Sequence, residues 1–250
     1  SVSLFENGKP NFYMLNKNNI FMEAKPFAVG IRIEHPQDMI NKSQYGKYAS
    51  YLKPASYKLT YTTSKKRGVY SFCMCPGGYV VNASSEEKLL AINGMSNNAR
   101  ESNNANSALV VTVTPADYGQ SPLDGIEFQR NLERKAYEVG NGKIPVQLLK
   151  DYYENKKTLE FEEVEPIFKG NYELSNINEI FPEYINESLK EAIMNFGNKI
   201  KGYDRSDAII AGVESRTSSP IRIKRDENFI SNIKGIYPCG EGAGYAGGIT

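Results

Sequence analysis

Several short stretches of the chain are either continuous apolar runs or alternate between apolar and polar residues, and these patterns predict β-strands. The first is the run FAVGIRI at 27–33, which is rich in β-branched residues and bounded by prolines. Similar stretches follow at 57–62, 69–73, 79–82, 88–92 and 108–113. Short strands separated by turn residues are typical of an antiparallel sheet or a partial barrel.

Helical spacing of apolar residues predicts two long helices, at 123–139 and 182–200. The first places these residues on one face: Phe128, Leu132, Ala136 and Val139. The second does the same with another set: Ile185, Leu189, Ile193, Phe196 and Ile200. Shorter helices are expected at 36–44 and 145–153, and brief strands at 208–213, 221–223 and 235–239.

Composition and charge narrow the classes of protein that the chain resembles. Hydrophobic residues make up 40% and charged residues 24%, as in ordinary soluble globular proteins. A net charge of +1 argues against a nucleic-acid partner, and the apolar runs are too short to predict a membrane span. Three cysteines do not form a disulfide framework, so a cytoplasmic location is expected, and no cluster of metal ligands is visible.

The strongest chemical signal is the glycine-rich segment at the C-terminus. Gly242, Gly244 and Gly247 fit the pattern G-x-G-x-x-G after a predicted strand, and Gly248 follows them. Glycines let the backbone approach a phosphate, and a following helix N-terminus attracts anions. A primary dinucleotide motif requires an acid about 20 residues downstream, whereas only three residues follow Gly247.

Glu241 instead places a carboxylate inside this turn, where it suits a hydrogen bond to a ribityl hydroxyl of a flavin. The segment therefore favours the second, C-terminal flavin motif of a two-part site. The alternative is a tight glycine turn with a solvated glutamate.

A loop upstream carries two arginines around a run of hydroxyl side chains. Arg216 and Arg222 are the candidates to clamp an anion or a flavin carbonyl, because a guanidinium donates in a fixed fork. The alternative is a surface loop in which Glu214 pairs with Arg216.

The segment Cys73-Met-Cys-Pro-Gly-Gly78 offers a second candidate site. In a regular strand Cys73 and Cys75 face the same side, roughly 7 Å apart, which disfavours a disulfide. Gly77 and Gly78 would let the backbone approach a flavin ring, with Cys75 nearby. The alternative is that these are small buried residues without a catalytic role.

His35 is the only histidine of the chain. Its ordinary pKa suits proton transfer beside a flavin, although a lone histidine is more often structural. His35 and Cys75 are therefore the two candidates for a catalytic role.

Taken together in this order, the segments resemble the uncharacterised FAD-dependent dehydrogenase family of bacteria. The matching segments are 25–37, 44–48, 71–84, 93–100, 106–113, 122–137, 212–226 and 235–249. The resemblance implies an α+β architecture in which a two-part, Rossmann-like FAD domain is interrupted by a β-rich substrate or cap domain with added helices. It implies FAD as the cofactor and hydride transfer as the chemistry of the intact protein.

The resemblance also implies how the chain divides. We expect a poorly defined segment at 1–26, a substrate or cap domain at 27–205, and the C-terminal part of the FAD domain at 206–250. The first nucleotide-binding segment would lie N-terminal to this chain, which starts without Met and stops within the glycine segment. An isolated piece of this kind is expected to be inactive.

Two other functions stay open from the sequence. One is a substrate-recognition or interaction domain that does not bind flavin. The other is a nucleic-acid-associated flavoprotein, against which the near-neutral charge counts. Neither the substrate nor the use of NAD(P)H follows from these residues.

Overall fold

The computed structural model describes residues 9–245, which form two compact units. The small unit draws on Ser1–Val29, Thr112–Asn131 and Arg216–Thr250. The large unit comprises Gly30–Val111 and Leu132–Ser215. The boundaries between the units fall after residues 29, 111, 131 and 215, so neither unit is one continuous stretch of sequence.

The helices of the described residues are α1 Lys9–Lys17, α2 Gln37–Tyr45, α3 Pro115–Tyr118, α4 Asp124–Val139, α5 Leu149–Tyr153 and α6 Glu183–Gly197, with 3-10 helices at Gly46–Tyr51 and Ile177–Glu179. The strands of the N-terminal half are β1 Met22–Ala24, β2 Phe27–Pro36, β3 Thr60–Thr62, β4 Gly68–Cys75, β5 Gly78–Asn82, β6 Ile92–Ser96 and β7 Asn104–Val113. Those of the C-terminal half are β8 Ile144–Leu148, β9 Phe168–Lys169, β10 Tyr172–Leu174, β11 Ile209–Glu214 and β12 Ile221–Ile223.

A seven-stranded sheet organises the large unit, in the order β10-β8-β11-β2-β7-β4-β3. Its pairs β11–β8, β11–β2, β4–β7 and β3–β4 are antiparallel, whereas β10–β8 is parallel. All six residues of β11 are buried, which explains why its sequence is a continuous apolar run ending in a glutamate. A second sheet has the order β6-β5-β9. The expected mixture of helices with largely antiparallel sheets is confirmed.

The small unit has a much smaller scaffold. Its strands β1 and β12 pair antiparallel, with Met22 opposite Ile223 and Ala24 opposite Ile221. The core beside them consists of six buried residues: Phe12, Ile20, Ile126, Ile221, Ile223 and Ala243.

The predicted apolar face of α6 is confirmed, because Ile185, Leu189, Ile193 and Phe196 are buried. Helix α4 also forms, and its Leu132 and Ala136 are buried as predicted. In both helices the spacing of apolar residues repeats over four turns, so the local sequence pattern is enough to predict the helix and its buried face.

Three predicted elements are wrong. The strand expected at 88–92 is instead β6, which starts at Ile92. The helix expected at 145–153 divides into strand β8 and helix α5, because the apolar run of β8 lies between β10 and β11 in the sheet. The strand expected at 235–239 does not form: Ile236 donates to Ile233 O and accepts from Ser231 N–H, which closes a local turn.

The two cysteines of β4 do not have the relation of a regular strand. A β-bulge lies between the pairs Phe72–Ala108 and Cys75–Asn106, so three steps on β4 oppose two on β7. Cys73 has a φ of +43° and is exposed, whereas Cys75 is partly buried, and no disulfide joins the two.

The expected domain division at 1–26, 27–205 and 206–250 stays a prediction, and the compact units divide the chain in another way. Strand β11 lies within 206–250, yet it is a central strand of the large unit. The two compact units are separated between Ser215 and Arg216.

Candidate functional site

The glycine segment forms a tight turn in the small unit. Gly244 N–H donates to Glu241 O at 2.9 Å, and Tyr245 N–H donates to Gly240 O at 3.1 Å. Gly244 has a φ of +84°, and a Cβ there would lie 2.4 Å from Ile221 O. Glycine is therefore required at 244 by packing within the unit, whether or not a ligand approaches.

The turn is attached to β12 and to the hydroxyl loop that precedes it. Ile223 N–H donates to Ala243 O at 3.1 Å. The Ser219 hydroxyl lies 3.0 Å from both Gly242 O and Ile221 O. The sequence-predicted loop and the sequence-predicted glycine turn are thus neighbours, as a shared site requires.

Three charged side chains surround this turn. Glu241 and Arg222 are both partly exposed. The third is Lys25, whose backbone N–H donates to Pro220 O at 2.9 Å and whose Nζ lies 3.4 Å from Ser219 O. Burial, and then the positive charge of Arg222, lower the pKa of Lys25, whereas Glu241 opposes this shift. Sequence reasoning missed Lys25, although it is the first residue of the segment KPFAVGIRIEHPQ.

Arg222 has one donor without a hydrogen bond. Its Nε is buried and has no partner within the part of the chain that the structure describes. Its guanidinium carbon lies 5.4 Å from the centre of the Tyr245 ring, and that of Arg225 lies 3.6 Å from the same centre. An unpaired buried donor of this kind is a natural contact for a ligand oxygen.

Other predicted residues of this site have less definite positions. Arg216 is partly buried and belongs to the small unit. Its neighbour Thr217 donates to Ala28 O at 2.7 Å. Gly247 and Gly248 lie outside the described residues.

The Pro76-Gly77-Gly78 loop belongs to the large unit, and other residues of that unit fix its position. Gly77 has a φ of +48°, and a Cβ there would lie 1.9 Å from Arg100 O. Its N–H donates to Gln37 Oε1 at 2.7 Å, and Pro76 O accepts from the Ser96 hydroxyl at 2.8 Å. At Gly78 a Cβ would lie 2.4 Å from Met95 O. Internal packing accounts for both glycines.

A buried arginine that sequence reasoning missed fixes the start of this loop. Arg32 is fully buried and pairs with Glu214 at 3.0 Å. Its Nη1 donates to Asn106 Oδ1 at 2.7 Å and to Cys73 O at 3.1 Å, in the bulge of β4. The signal in the sequence was an arginine inside the apolar run of β2 and a glutamate at the end of the apolar run of β11.

Cys75 lies beside this network, 3.9 Å from Arg32 Nη1. Burial raises the pKa of the Cys75 thiol, although Arg32 opposes the shift. The thiol form is therefore favoured over the reactive thiolate.

His35 lies in the core of the large unit. Its Nε2 is 2.6 Å from Tyr203 O, and its ring centre is 4.5 Å from that of Tyr203. Burial lowers the pKa of His35 to about 4, so the ring is neutral near pH 7. No hydrogen bond or ring contact joins His35 to Cys75 in the range 9–245.

A cleft of about 1050 Å³ opens in the large unit beside α2 and residues 201–207. Charged residues dominate its lining, and several pair with each other: Arg205 with Asp207 and Glu163, and Lys42 with Asp38. None of the candidate site residues that were predicted from the sequence lines this cleft.

Neither a candidate metal site nor a helix that could span a membrane occurs among the described residues. No group of three or more His, Cys, Asp or Glu side chains is arranged there to hold a metal ion. Among the helices at 9–245, none has the length and apolar character needed to cross a membrane.

Comparison with known proteins places the chain in a family. Residues 26–217 match the family described as "FAD-dependent protein, C-terminal domain-like". The chain belongs to this family. The match contains the whole large unit, and it supports the FAD-dependent relationship that the sequence resemblance implied.

A relative is also found in Clostridium beijerinckii (strain ATCC 51743 / NCIMB 8052), where it is an uncharacterised protein. It is 51% identical over 255 residues, which cover 99% of this chain and 48% of the relative. The chain therefore spans about half the length of the curated relative that it matches.

Proposed function

We propose that this chain is part of an FAD-dependent oxidoreductase and that its small unit supplies flavin-contacting groups. The observation that carries the oxidoreductase assignment is the family match over 26–217. The role of the small unit is supported by its own side chains, Arg222 and Glu241. The C. beijerinckii relative is about twice as long, which leaves room for a further nucleotide-binding segment as the partner of this chain.

The residues of the small unit fit a flavin in two respects. The Nε of Arg222 is a buried donor without a partner in the described residues, and it suits a carbonyl or phosphate oxygen. The Glu241 carboxylate is partly exposed at the glycine turn, and it suits ribityl hydroxyl groups. Gly242 and Gly244 would contribute main-chain contacts, with Gly247 and Gly248 continuing the segment, and Arg216 would add a second guanidinium.

Bound FAD would supply hydride transfer, and the chain's own residues would bind and orient it. Glu241 would accept hydrogen bonds from the sugar alcohol, and Arg222 would donate to a ligand oxygen. Within the large unit, the network of Arg32 keeps the segment before the Gly77–Gly78 loop fixed through Cys73 O.

No chemical step is assigned to His35 or Cys75. The burial and low pKa of His35, and the raised pKa of the partly buried Cys75 thiol, favour packing roles for both. The substrate, and the electron donor or acceptor, stay outside the proposal.

A second candidate function is a substrate-recognition domain that does not bind flavin itself. The family match favours it in one respect, because the match stops at residue 217 and leaves the glycine turn outside. The internal packing requirement at Gly244 favours it as well.

Flavin binding by the full-length C. beijerinckii relative separates the two functions. We expect the purified protein to show the absorption bands of oxidised flavin. Replacing its residue aligned with Glu241 by Ala should weaken FAD binding about tenfold, which corresponds to about 1.4 kcal/mol. Replacement at the position of Glu227, which is exposed in the same unit, is the matched control. A colourless protein that does not take up added FAD would refute the flavin function and support the recognition domain.

A further inference from the structure

In the small unit, the cationic side chains of Lys25 and Arg222 lie near each other. In the β1–β12 pair, Glu23 lies opposite Arg222 and Ala24 opposite Ile221, so Lys25 follows directly beside them. Lys25 Nζ donates to two main-chain oxygens, Ser219 O at 3.4 Å and Pro26 O at 3.5 Å. No ion pair closes on Lys25 or Arg222 within residues 9–245. By contrast, Lys224 pairs with Glu23 at 2.9 Å.

The Arg222 guanidinium is held in place although one of its donors is unused. Tyr245 provides the ring below it, and the Tyr245 hydroxyl donates to Ile223 O at 2.8 Å. Arg225 covers the same ring and donates to Pro238 O at 2.7 Å. Arg222 Nε thus has a buried, preorganised hydrogen without an acceptor, and an anionic ligand atom would satisfy it.

We propose that Lys25 and Arg222 form a binding site for an oxyanion, namely a phosphate or carboxylate group of the ligand. This inference rests on the proposed function only where it names the molecule that carries the oxyanion. In a flavoprotein the oxyanion is either the diphosphate of a dinucleotide or an acidic group of the substrate. Both present negatively charged oxygens to the same two cations.

The electrostatics of the cluster agree with this assignment. Burial and Arg222 both disfavour the charged form of Lys25, and an oxyanion between the two cations would offset both effects. Glu241 is the one carboxylate that acts on Lys25 here, and it cancels part of the positive charge. Removing its charge should therefore strengthen oxyanion binding, whereas the proposed contact with ribityl hydroxyls requires its acceptor oxygens.

Titration calorimetry with inorganic pyrophosphate on the 250-residue chain, at low ionic strength, tests the site. The variants are Lys25→Gln, Arg222→Gln and Glu241→Gln, with Lys224→Gln as the matched control. We expect the first two to weaken binding about tenfold or more, because each removes a charge-assisted contact. Lys224→Gln should have no effect, and Glu241→Gln should tighten binding several-fold through the lost repulsion.

Two further ligands identify the source of the oxyanion. ADP binding more tightly than succinate, and sensitive to Lys25→Gln, indicates a dinucleotide diphosphate, whereas the reverse order indicates a substrate carboxylate. Lys25→Gln is the decisive variant, because Lys25 has no side-chain partner within residues 9–245 whose loss would disturb folding, and circular dichroism checks this. Absence of binding for all three anions, or equal affinity in the wild type and Lys25→Gln, overturns the inference.

The outcomes also separate this inference from the proposed function. Flavin binding by the full-length relative together with no effect of Lys25→Gln on any anion overturns the oxyanion site alone. Pyrophosphate binding that depends on Lys25, in a protein that takes up no flavin, supports the oxyanion site and refutes the flavin function.

Discussion

Glu34 and His35 are consecutive residues of β2, and burial changes their pKa values in opposite directions. Burial raises the pKa of Glu34 to about 8 and lowers that of His35 to about 4. Both side chains are therefore predominantly neutral at pH 7. A buried charge without a partner is costly, so neutralisation is the favourable state for each.

The pKa of Glu34 predicts how stability depends on pH. The folded chain binds this proton more tightly than the unfolded chain between pH 4.5 and about 8, so stability falls as the pH rises through that window. Glu34→Gln should remove this loss and raise the free energy of unfolding at pH 7 by up to about 3 kcal/mol. The amide oxygen can still accept from Ile167 N–H, which now donates to Glu34 Oε2 at 3.2 Å.

Urea unfolding at pH 5, 7 and 8 measures this effect. Glu165→Gln, at an exposed position, is the control and should leave the pH dependence unchanged. A variant Glu34→Gln as stable as the wild type at all three values would contradict the prediction. His35 acts at lower pH, since its depressed pKa reduces stability as the pH falls from 6.5 towards 4.

At the scale of elements, the glycine turn depends on Gly244 more than on Gly240. Gly240 and Gly244 both have positive φ, at +75° and +84°. A Cβ at 240 would have no atom within 4 Å, whereas one at 244 would lie 2.4 Å from Ile221 O in β12. The two glycines therefore share backbone strain but differ in packing.

Gly244→Ala should destabilise the small unit more than Gly240→Ala. The expected loss for Gly240→Ala is about 1–2 kcal/mol from the left-handed backbone alone. Gly244→Ala adds the displacement of the turn from β12, so it should also weaken pyrophosphate binding, because Arg222 lies in that strand. Thermal unfolding and calorimetry of the two variants provide the comparison. Equal losses for both would show that the contact with Ile221 O is not limiting.

At the scale of the whole chain, the range of the family match can be compared with the bounds of the large unit. Residues 26–217 include every strand of the seven-stranded and three-stranded sheets, from β2 to β11. They exclude Lys25, β1, β12 and the glycine turn. The family match thus contains the whole large unit together with the segment Thr112–Asn131 of the small unit.

We therefore expect a polypeptide of residues 26–217 to fold without the rest. It should unfold cooperatively in urea, at lower stability than the 250-residue chain, because Ile126 would lose neighbours in the core of the small unit. It should not bind pyrophosphate. A gradual, non-cooperative transition would contradict independent folding, and retained pyrophosphate binding would place the oxyanion site elsewhere.

Elements with a strong local pattern were predictable from the sequence. The apolar run at 27–33 became β2, and the repeated faces of 123–139 and 182–200 became α4 and α6. Short apolar runs were ambiguous: the residues of β8 carry no period that separates a buried strand from a helix. Pairing with β10 and β11 decided that case.

For the candidate site, the sequence alone determined the residue types: a glutamate among glycines, and two arginines around hydroxyl side chains. It also determined the resemblance to an FAD-dependent family, which the family match supports. Only the tertiary structure placed Lys25 beside Arg222 and Glu241, and only it paired Arg32 with Glu214. These partners are far apart along the chain, and local periodicity contains no information about such contacts. They arise when remote strands pair, because pairing brings distant side chains to the same edge of a sheet and sets which of them keep or lose contact with water.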